Sequence, residues 1–530
     1  MRVRFGADRP RWNPAGFTGL PETTARLSRY VAALVSDDGA IHDPCLSRTL
    51  ESALALRLLE KTGLDPRFEA GVRRFLAAAR PADPFERAIA GYALRESTGL
   101  GPAAGGFLAL RAPSFTGARK HAFAQALACL WDDHPEPVDI GAALAPTGLH
   151  SGAVVQVTAV KVILVSATGQ PEAVTDEDVR LLLSTQRLSH VWEGNMFLHL
   201  LVLHALSFLP GTGRLLVEGV RKLKFHQRPD EGIPFVTDLD NWCTTIAGLA
   251  LAGTGTPDAT LRALAGHLIE QQRPGGGWTA TAVMDQSDFD STGIAVEFLH
   301  ALDARAYSET IRRGIRSLTS ARGSDGGFPT YLAGAPSEAT MTAAVVNGLS
   351  VDAAAHRAVI DTALLFLADV QNPDGSFPPD WCASSMFGVF RAILAAQADT
   401  RPATPQVARM LDRSLAYVRD QQHPDGGWGQ QPESPSDPLS TAYALISLCQ
   451  QHDPAPAVRG LRYLRDHQQP DGRIVSPPDG LGPRPFVYEL PSLSSIFPLL
   501  ALAHLTARTT TASPRHPGAA HSGAVAHVEP

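Results

Sequence analysis

A chain of 530 residues, 44% hydrophobic and 19% charged, is long enough for roughly two to four folded domains with large cores. Its net charge of −7, from 46 basic and 53 acidic residues, excludes a dedicated nucleic-acid binder, whose surface would be basic. The five cysteines, Cys45, Cys129, Cys243, Cys382 and Cys449, are scattered without a C-x-x-C pair, which excludes a disulfide framework or a zinc knuckle and fits reduced thiols in the cytoplasm.

The first residues, Met1 to Phe17, lack the apolar stretch of a signal peptide. The most apolar window, Val154 to Ala167, is interrupted by Gln156 and Lys161 and is too short for a bilayer, so no transmembrane segment is expected. The N-terminal half then carries apolar residues at helical spacing in Leu46 to Leu59, Arg74 to Ala79, Ala88 to Leu94, Ala122 to Cys129, Val179 to Leu183 and Met196 to Leu209. Loops rich in Gly and Pro separate these segments.

From residue 226 a phrase recurs: His226-Gln-Arg-Pro-Asp, Gln271-Gln-Arg-Pro-Gly-Gly-Gly-Trp278, Ala321-Arg-Gly-Ser-Asp-Gly-Gly-Phe328, Gln371-Asn-Pro-Asp-Gly-Ser-Phe377, Gln421-Gln-His-Pro-Asp-Gly-Gly-Trp428 and His467-Gln-Gln-Pro-Asp-Gly472. Ser36-Asp-Asp-Gly39 is a faint earlier copy. The closing aromatics at 278, 328, 377 and 428 repeat every 50, 49 and 51 residues. In each unit an apolar helix ends at Gln, Pro-Asp-Gly turns, the aromatic packs back over the helix end, and a second apolar helix follows. Two helices per repeat at this period predict a toroid of helical hairpins. The second helices begin at small hydroxyl residues, Thr244-Thr245, Ser291-Thr292, Thr340 and Thr342, Ser384-Ser385, Ser440-Thr441 and Ser494-Ser495, most of them N-caps.

One copy of that slot is different. In Met284-Asp285-Gln286-Ser287-Asp288-Phe289-Asp290-Ser291-Thr292-Gly293, Asp288 and Asp290 lie two apart, on one side of an extended approach to a helix. Like charges held that close resist ionising together, so one carboxyl keeps its proton and can act as a general acid. The plain alternative is a pair of solvated loop acids beside an N-cap.

The Gln…Asp-Gly-x-Trp phrases, with Asp288-Phe-Asp290-Ser-Thr292 between two of them, resemble the class II terpene cyclases, the protonation-initiated group that includes squalene-hopene cyclase and bacterial diterpene diphosphate cyclases of the copalyl diphosphate synthase type. The repeat resemblance covers roughly residues 220 to 505. The acidic stretch is similar to the family's D-x-D-D, and closer to a bacterial variant with Thr or Ser fourth and Thr fifth. The resemblance implies an all-α fold of two α/α barrel domains, with a flexible N-terminus at 1–18, a first barrel at 19–240 whose first helix is free to pack on the second domain, a repeat barrel at 241–508 carrying the acidic motif, and a disordered tail at 509–530. It implies Asp290 as proton donor and Asp288 as its orienting partner, with Ser291 and Thr292 completing the catalytic group. Ser291 replaces the usual fourth Asp, so either it supplies the missing hydrogen bond or the acid is weaker.

Trp242, Tyr331, Trp381 and Phe387 are the expected cation-stabilising aromatics, whereas Trp278, Phe328, Phe377 and Trp428 belong to the turn phrase and are expected to be packing. The implied reaction cyclises a linear prenyl diphosphate with the diphosphate retained, geranylgeranyl diphosphate first and farnesyl diphosphate second. Such a substrate implies Mg2+ and basic residues; Lys222, Lys224 and Arg228 are the expected cations. Glu193, Asp238 and Asp240 are the nearest approach to the family's acidic magnesium motif, of which no clear copy is present. The rival readings are a squalene-hopene-type triterpene cyclase, a protein prenyltransferase subunit, for which Asp240 and Cys243 lack a matching zinc-ligating His, and a non-catalytic helical module binding a lipid or protein.

Overall fold

The computed structural model describes residues 11–81, 83–96, 117–131, 144–398, 401–482 and 486–509. The tail expected to be disordered lies almost wholly outside these residues, as do the first ten.

Helix α1 (Leu20–Ala32) opens the chain and buries Leu20, Leu27 and Val31. Eight helices follow: α2 (Thr49–Thr62), α3 (Pro66–Ala78), α4 (Pro84–Ala93), α5 (Gly117–Leu130), α6 (Ser151–Ala167), α7 (Asp176–Ser184), α8 (Met196–Leu206) and α9 (Gly213–Phe225). They share one core, running from Leu50 to Ile233. Then come α10 (Asp240–Ala252), α11 (Asp258–Gln271), α12 (Phe289–Asp303), α13 (Ser308–Leu318), α14 (Ala339–Leu349), α15 (Arg357–Val370), α16 (Ser385–Ala396), α17 (Pro405–Asp420), α18 (Pro438–Leu448), α19 (Ala455–Asp466) and α20 (Leu493–Thr509).

The larger barrel is a closed ring. Helices α10, α12, α14, α16, α18 and α20 each pack on the next, and α20 packs back on α10. These inner helices are apolar nearly all round, as elements buried on both sides must be; α14 and α18 are buried along their whole length. The outer helices α11, α13, α15, α17 and α19 are amphipathic, and α1 takes the sixth outer place beside α20 and α10.

The repeated phrase explains the spacing. Gln272 Nε2 donates to the Gly276 carbonyl in its own turn (2.8 Å) and to Thr310 on the next outer helix (2.9 Å), and Gln422 does the same with Gly426 and Pro456. In the last repeat Gln468 reaches Gly472 and Thr23 of α1, so the same device that links neighbours also closes the ring. Gly276 has φ +92°, and a Cβ there would sit 2.3 Å from the Arg313 carbonyl oxygen, which is why the turn demands glycine. Trp278 and Trp428 are fully buried and donate through Nε1 to Leu268 and Val418, pinning the preceding helix end.

The faint copy at Ser36 to Gly39 is a true repeat: Gly39 has φ +80° and approaches the Ala263 carbonyl of α11. Its inner helix, α10, arrives only after residue 240. The smaller barrel is therefore an insertion into the first repeat. It leaves and returns through an antiparallel pair, β1 (Ser47–Arg48) with β2 (Ile233–Pro234).

This places the division differently from a cut at residue 240. Residues 12 to 45 belong to the larger core, together with 236 onward. Residues 11–18, expected as flexible, include Trp12, which is buried and donates to the His452 carbonyl (2.8 Å), and Phe17, stacked on it. Among the described residues no helix is long and apolar enough to cross a membrane.

Candidate active site

Five hydroxyl residues at the starts of inner helices share one task. The backbone N–H of Trp278 donates to Thr292 Oγ1 (3.0 Å), that of Phe328 to Thr342 (2.8 Å), that of Trp428 to Thr441 (3.0 Å), that of Ile474 to Ser495 (3.0 Å) and that of Ile41 to Thr244 (2.9 Å). Thr292 Oγ1 also donates to the Asp288 carbonyl (2.6 Å). Its hydroxyl is committed to backbone, and Thr292, expected in the catalytic group, serves the scaffold.

Asp288 likewise has counterparts. Its carboxylate accepts from the Ser291 N–H (2.7 Å) and the Ser291 hydroxyl (2.9 Å), and Asp437 accepts from Ser440 in the same way, at 2.8 Å each. Asp288 is the N-cap of α12 as Asp437 is of α18. Burial pushes the Asp288 carboxyl up to about 6, against the pull of the Ser291 donors. Ser291 thus bonds Asp288 and leaves Asp290 to other partners.

What no other repeat shares is Asp290. Two residues before the conserved-in-place hydroxyl, the other copies carry Trp242, Thr340, Leu439 and Leu493. The carboxylate of Asp290 is buried; one oxygen accepts from Trp242 Nε1 (2.9 Å) and the other from the guanidinium of Arg391. Arg391 is itself buried in α16, with its guanidinium near the rings of Phe387 and Phe390, and burial draws it down to about 10. The two carboxyls therefore do not share a proton, as their closeness in sequence suggested, because each has its own donors. Asp288 fixes the helix start, whereas Arg391 and Trp242 are placed to stabilise negative charge on Asp290.

Asp290 opens into a cavity of about 250 Å³ between the two barrels. Trp242, Tyr331, Trp381 and Phe387 all line it, as expected, joined by Phe197 and Phe235 from the smaller barrel and by Tyr443 and Tyr488. Trp381 Nε1 is held by Thr330 Oγ1 (3.1 Å), and Tyr331 packs on Trp381 and His150. Phe289, between the acids, turns onto Phe328. Arg391 escaped the sequence reading, although a single charge inside the apolar run Ser385 to Ala396 is the signal that marks it.

The expected basic cluster lies elsewhere. Lys222 donates to the Leu188 carbonyl (2.6 Å), Lys224 pairs with Asp65 (2.6 Å), and Arg228 donates to Cys45 and Thr237 carbonyls; none of the three lines the cavity. Asp238 and Asp240 also lie off the cavity, bonded to Thr281 and to His42. Glu193 does line it, at φ +51°, accepting from Ser151 Oγ (2.8 Å). Burial raises its carboxyl, and the nearby Asp285 charge raises it further. Beside it is the start of α6, with His150 as N-cap and Arg119 close enough to act on the His150 ring.

A closed helical ring with a buried, arginine-paired aspartate on an aromatic-walled cavity is the arrangement a protonation-initiated cyclase needs. Comparison with known proteins agrees. Residues 332–507 match the squalene-hopene cyclase C-terminal domain. A drimenyl diphosphate synthase of Streptantibioticus cattleyicolor is 37% identical, over 95% of this chain and 98% of its own. A second, of Streptomyces showdoensis, is 35% identical over 92% of this chain and 95% of its own. The ent-copalyl diphosphate synthase of Streptomyces platensis has the same fold, with TM-score 0.56 at 19% identity, covering 93% of this chain and all of that one. The chain belongs to the class II terpene cyclases, in the group that holds the two drimenyl diphosphate synthases.

Proposed function

We propose that this cyclase converts farnesyl diphosphate to the bicyclic C15 product drimenyl diphosphate, with the diphosphate retained. The C20 substrate expected first from chain length takes second place, because both full-length relatives are named for a C15 skeleton. The observation that carries the chemistry is Asp290, an acid in a slot that is uncharged in the matching repeats, buried against Arg391 and Trp242 and facing an aromatic cavity.

The proton on Asp290 passes to the alkene farthest from the diphosphate, forming a C–H bond as the O–H bond breaks. Arg391 and Trp242 hold the carboxylate that results, so the charge separation is stabilised where it develops. The cation is then attacked by the next alkenes in turn while the cavity excludes water. Trp242, Tyr331, Trp381 and Phe387 present π faces to it, each worth about 2 kcal/mol where desolvated.

The diphosphate end lies by the N-terminus of α6, where backbone N–H groups, Ser151, His150 and Arg119 favour an anion. Glu193, with the Asp285 charge beside it, would hold Mg2+ there, since such ions take one or two carboxylates and complete their shell with phosphate oxygens. When bound, the ion neutralises diphosphate charge. Among the described residues no three His, Cys, Asp or Glu side chains converge.

The test is incubation of the purified chain with farnesyl and geranylgeranyl diphosphates, dephosphorylation, and GC–MS, beside Asp290→Asn. Drimenol from the C15 substrate alone, absent with the variant, is the expected result. No cyclic alcohol from either substrate overturns the reading.

A further inference from the structure

We propose that Asp479, oriented by Tyr443, is the base that removes the last proton from the cyclised cation. The inference rests on the cyclisation reading above and assigns its final step. Asp479 lies in the loop between α19 and α20, is buried, and lines the same cavity as Asp290. One of its oxygens accepts from the Tyr443 hydroxyl (3.0 Å), the other from the Ser384 N–H (2.6 Å). Among the described residues no Lys or Arg pairs with it, in contrast to Asp290 with its arginine.

The path between the two acids is aromatic. Arg391, which holds Asp290, sits near Phe387 and Phe390. Those rings contact Tyr443, edge-on at 5.2 Å for Phe387 and stacked at 5.2 Å for Phe390. Tyr443 then donates to Asp479. Phe387 and Tyr443 of this set line the cavity, so a cation born at Asp290 meets π faces on the way to a carboxylate that carries no counter-cation and attracts positive charge through the low-dielectric cavity.

The protonation state suits the task. Burial raises the Asp479 carboxyl to about 6, with the Asp437 charge adding to it and the Ser384 and Tyr443 donors opposing, so at neutral pH it is mainly ionised and still basic enough to accept a proton. The groups facing it are Tyr443, Cys382 and Asp437, and burial pushes the pKa of each above its ordinary value.

The step balances. A C–H bond adjacent to the cationic carbon breaks, its electron pair becomes the product alkene, and the proton goes to the carboxylate of Asp479. With one proton supplied by Asp290 and one removed, the reaction is an isomerisation with no oxidant or co-reactant. Both acids re-equilibrate with solvent after product leaves.

Asp479 also braces the start of α16 through Ser384, so the variant must keep that bond. Asp479→Asn retains an acceptor for the Ser384 N–H and loses the base. With farnesyl diphosphate and the full chain, the expected result is a fall of at least about 100-fold in formation of the native alkene, with hydroxylated or isomeric alkene products in its place, while the melting temperature stays near that of the parent. Native product formed within about threefold of the parent rate overturns the proposal. Should Asp479→Asn fail to fold, Tyr443→Phe decides: it removes only the orienting hydroxyl, and a product mixture unchanged from the parent overturns the assignment. If the unmodified chain cyclises nothing, the broader reading has failed; if it is active and both variants match it, only the base has been misassigned.

Discussion

As the proposed proton donor, Asp290 faces opposed demands. Donors that stabilise its carboxylate make proton loss easier in the transition state, yet the group must carry a proton when the alkene arrives. Arg391 meets the first demand with a full charge in a dry site. Asp290→Asn is expected to lower turnover by at least about 1000-fold and to leave the guanidinium of Arg391 without a counter-charge, costing about 3 kcal/mol of stability. Adding Arg391→Met should restore most of that stability while activity stays lost, since an apolar side chain suits the site once the acid is gone. Urea denaturation of the two single variants and the double variant checks this; additive losses would count against a paired role.

Asp288 gives a pH signature. Its folded carboxyl sits at about 6, above the ordinary aspartate value of 3.8, so the folded state holds the proton more tightly than the unfolded chain. That contribution favours folding below about pH 4 and is lost as pH rises through 6, a change of about 3 kcal/mol at most. Asp288→Asn, which keeps an N-cap acceptor, should therefore gain stability relative to the parent between pH 4 and pH 7. Denaturation midpoints at both pH values, compared between parent and variant, show whether the gap moves in that direction.

At the scale of the element, the turn phrase was legible because its physics is local. A glycine with φ +92° whose absent Cβ lets the chain approach Arg313 has counterparts at Gly326, Gly375, Gly426 and Gly472, and the glutamine whose amide ties that turn to the next helix recurs in each of these copies except the one at Ala321. Gly276→Ala is expected to cost about 3 kcal/mol, from the positive φ and the contact together, whereas Gly275→Ala, with open space around its Cβ, should be near neutral. Equal thermal shifts for the two variants would refute the assignment.

The starts of the inner helices were harder to read. Thr292 belongs to a motif and to a repeat at once, and only the hydrogen bond from Trp278 shows that the repeat claims its hydroxyl. Asp290 stood out because its slot is uncharged in the matching repeats. Arg391 and Asp479 did not, because what marks them is tertiary: Arg391 reaches Asp290 from 101 residues away, and Asp479 lines the cavity that Asp290 faces.

The whole molecule is an insertion, and this could not be read from helix periodicity. The sequence places the smaller barrel first, but its helices lie between the turn phrase of the first repeat, at Ser36 to Gly39, and that repeat's inner helix α10. The consequence can be tested. Ser47 and Pro234 are paired across β1 and β2, so their Cα atoms are about 5 Å apart and the ends of the inserted barrel almost touch. Replacing residues 48–233 with a short Gly/Ser linker should leave the larger ring closed, because α1, Gly39 and Gln468 remain in place with their partners Ala263 and Thr23. Phe486 and Phe235 would lose their packing, a tolerable cost for a core that otherwise lies wholly outside the excised segment. The excised protein is expected to be helical and to melt cooperatively, yet to show no cyclase activity. It would lack the wall bearing Glu193, Ser151 and Phe197, leaving the cavity open to water above Asp290. A protein that unfolds when the insert is removed would mean that the two barrels stand only together.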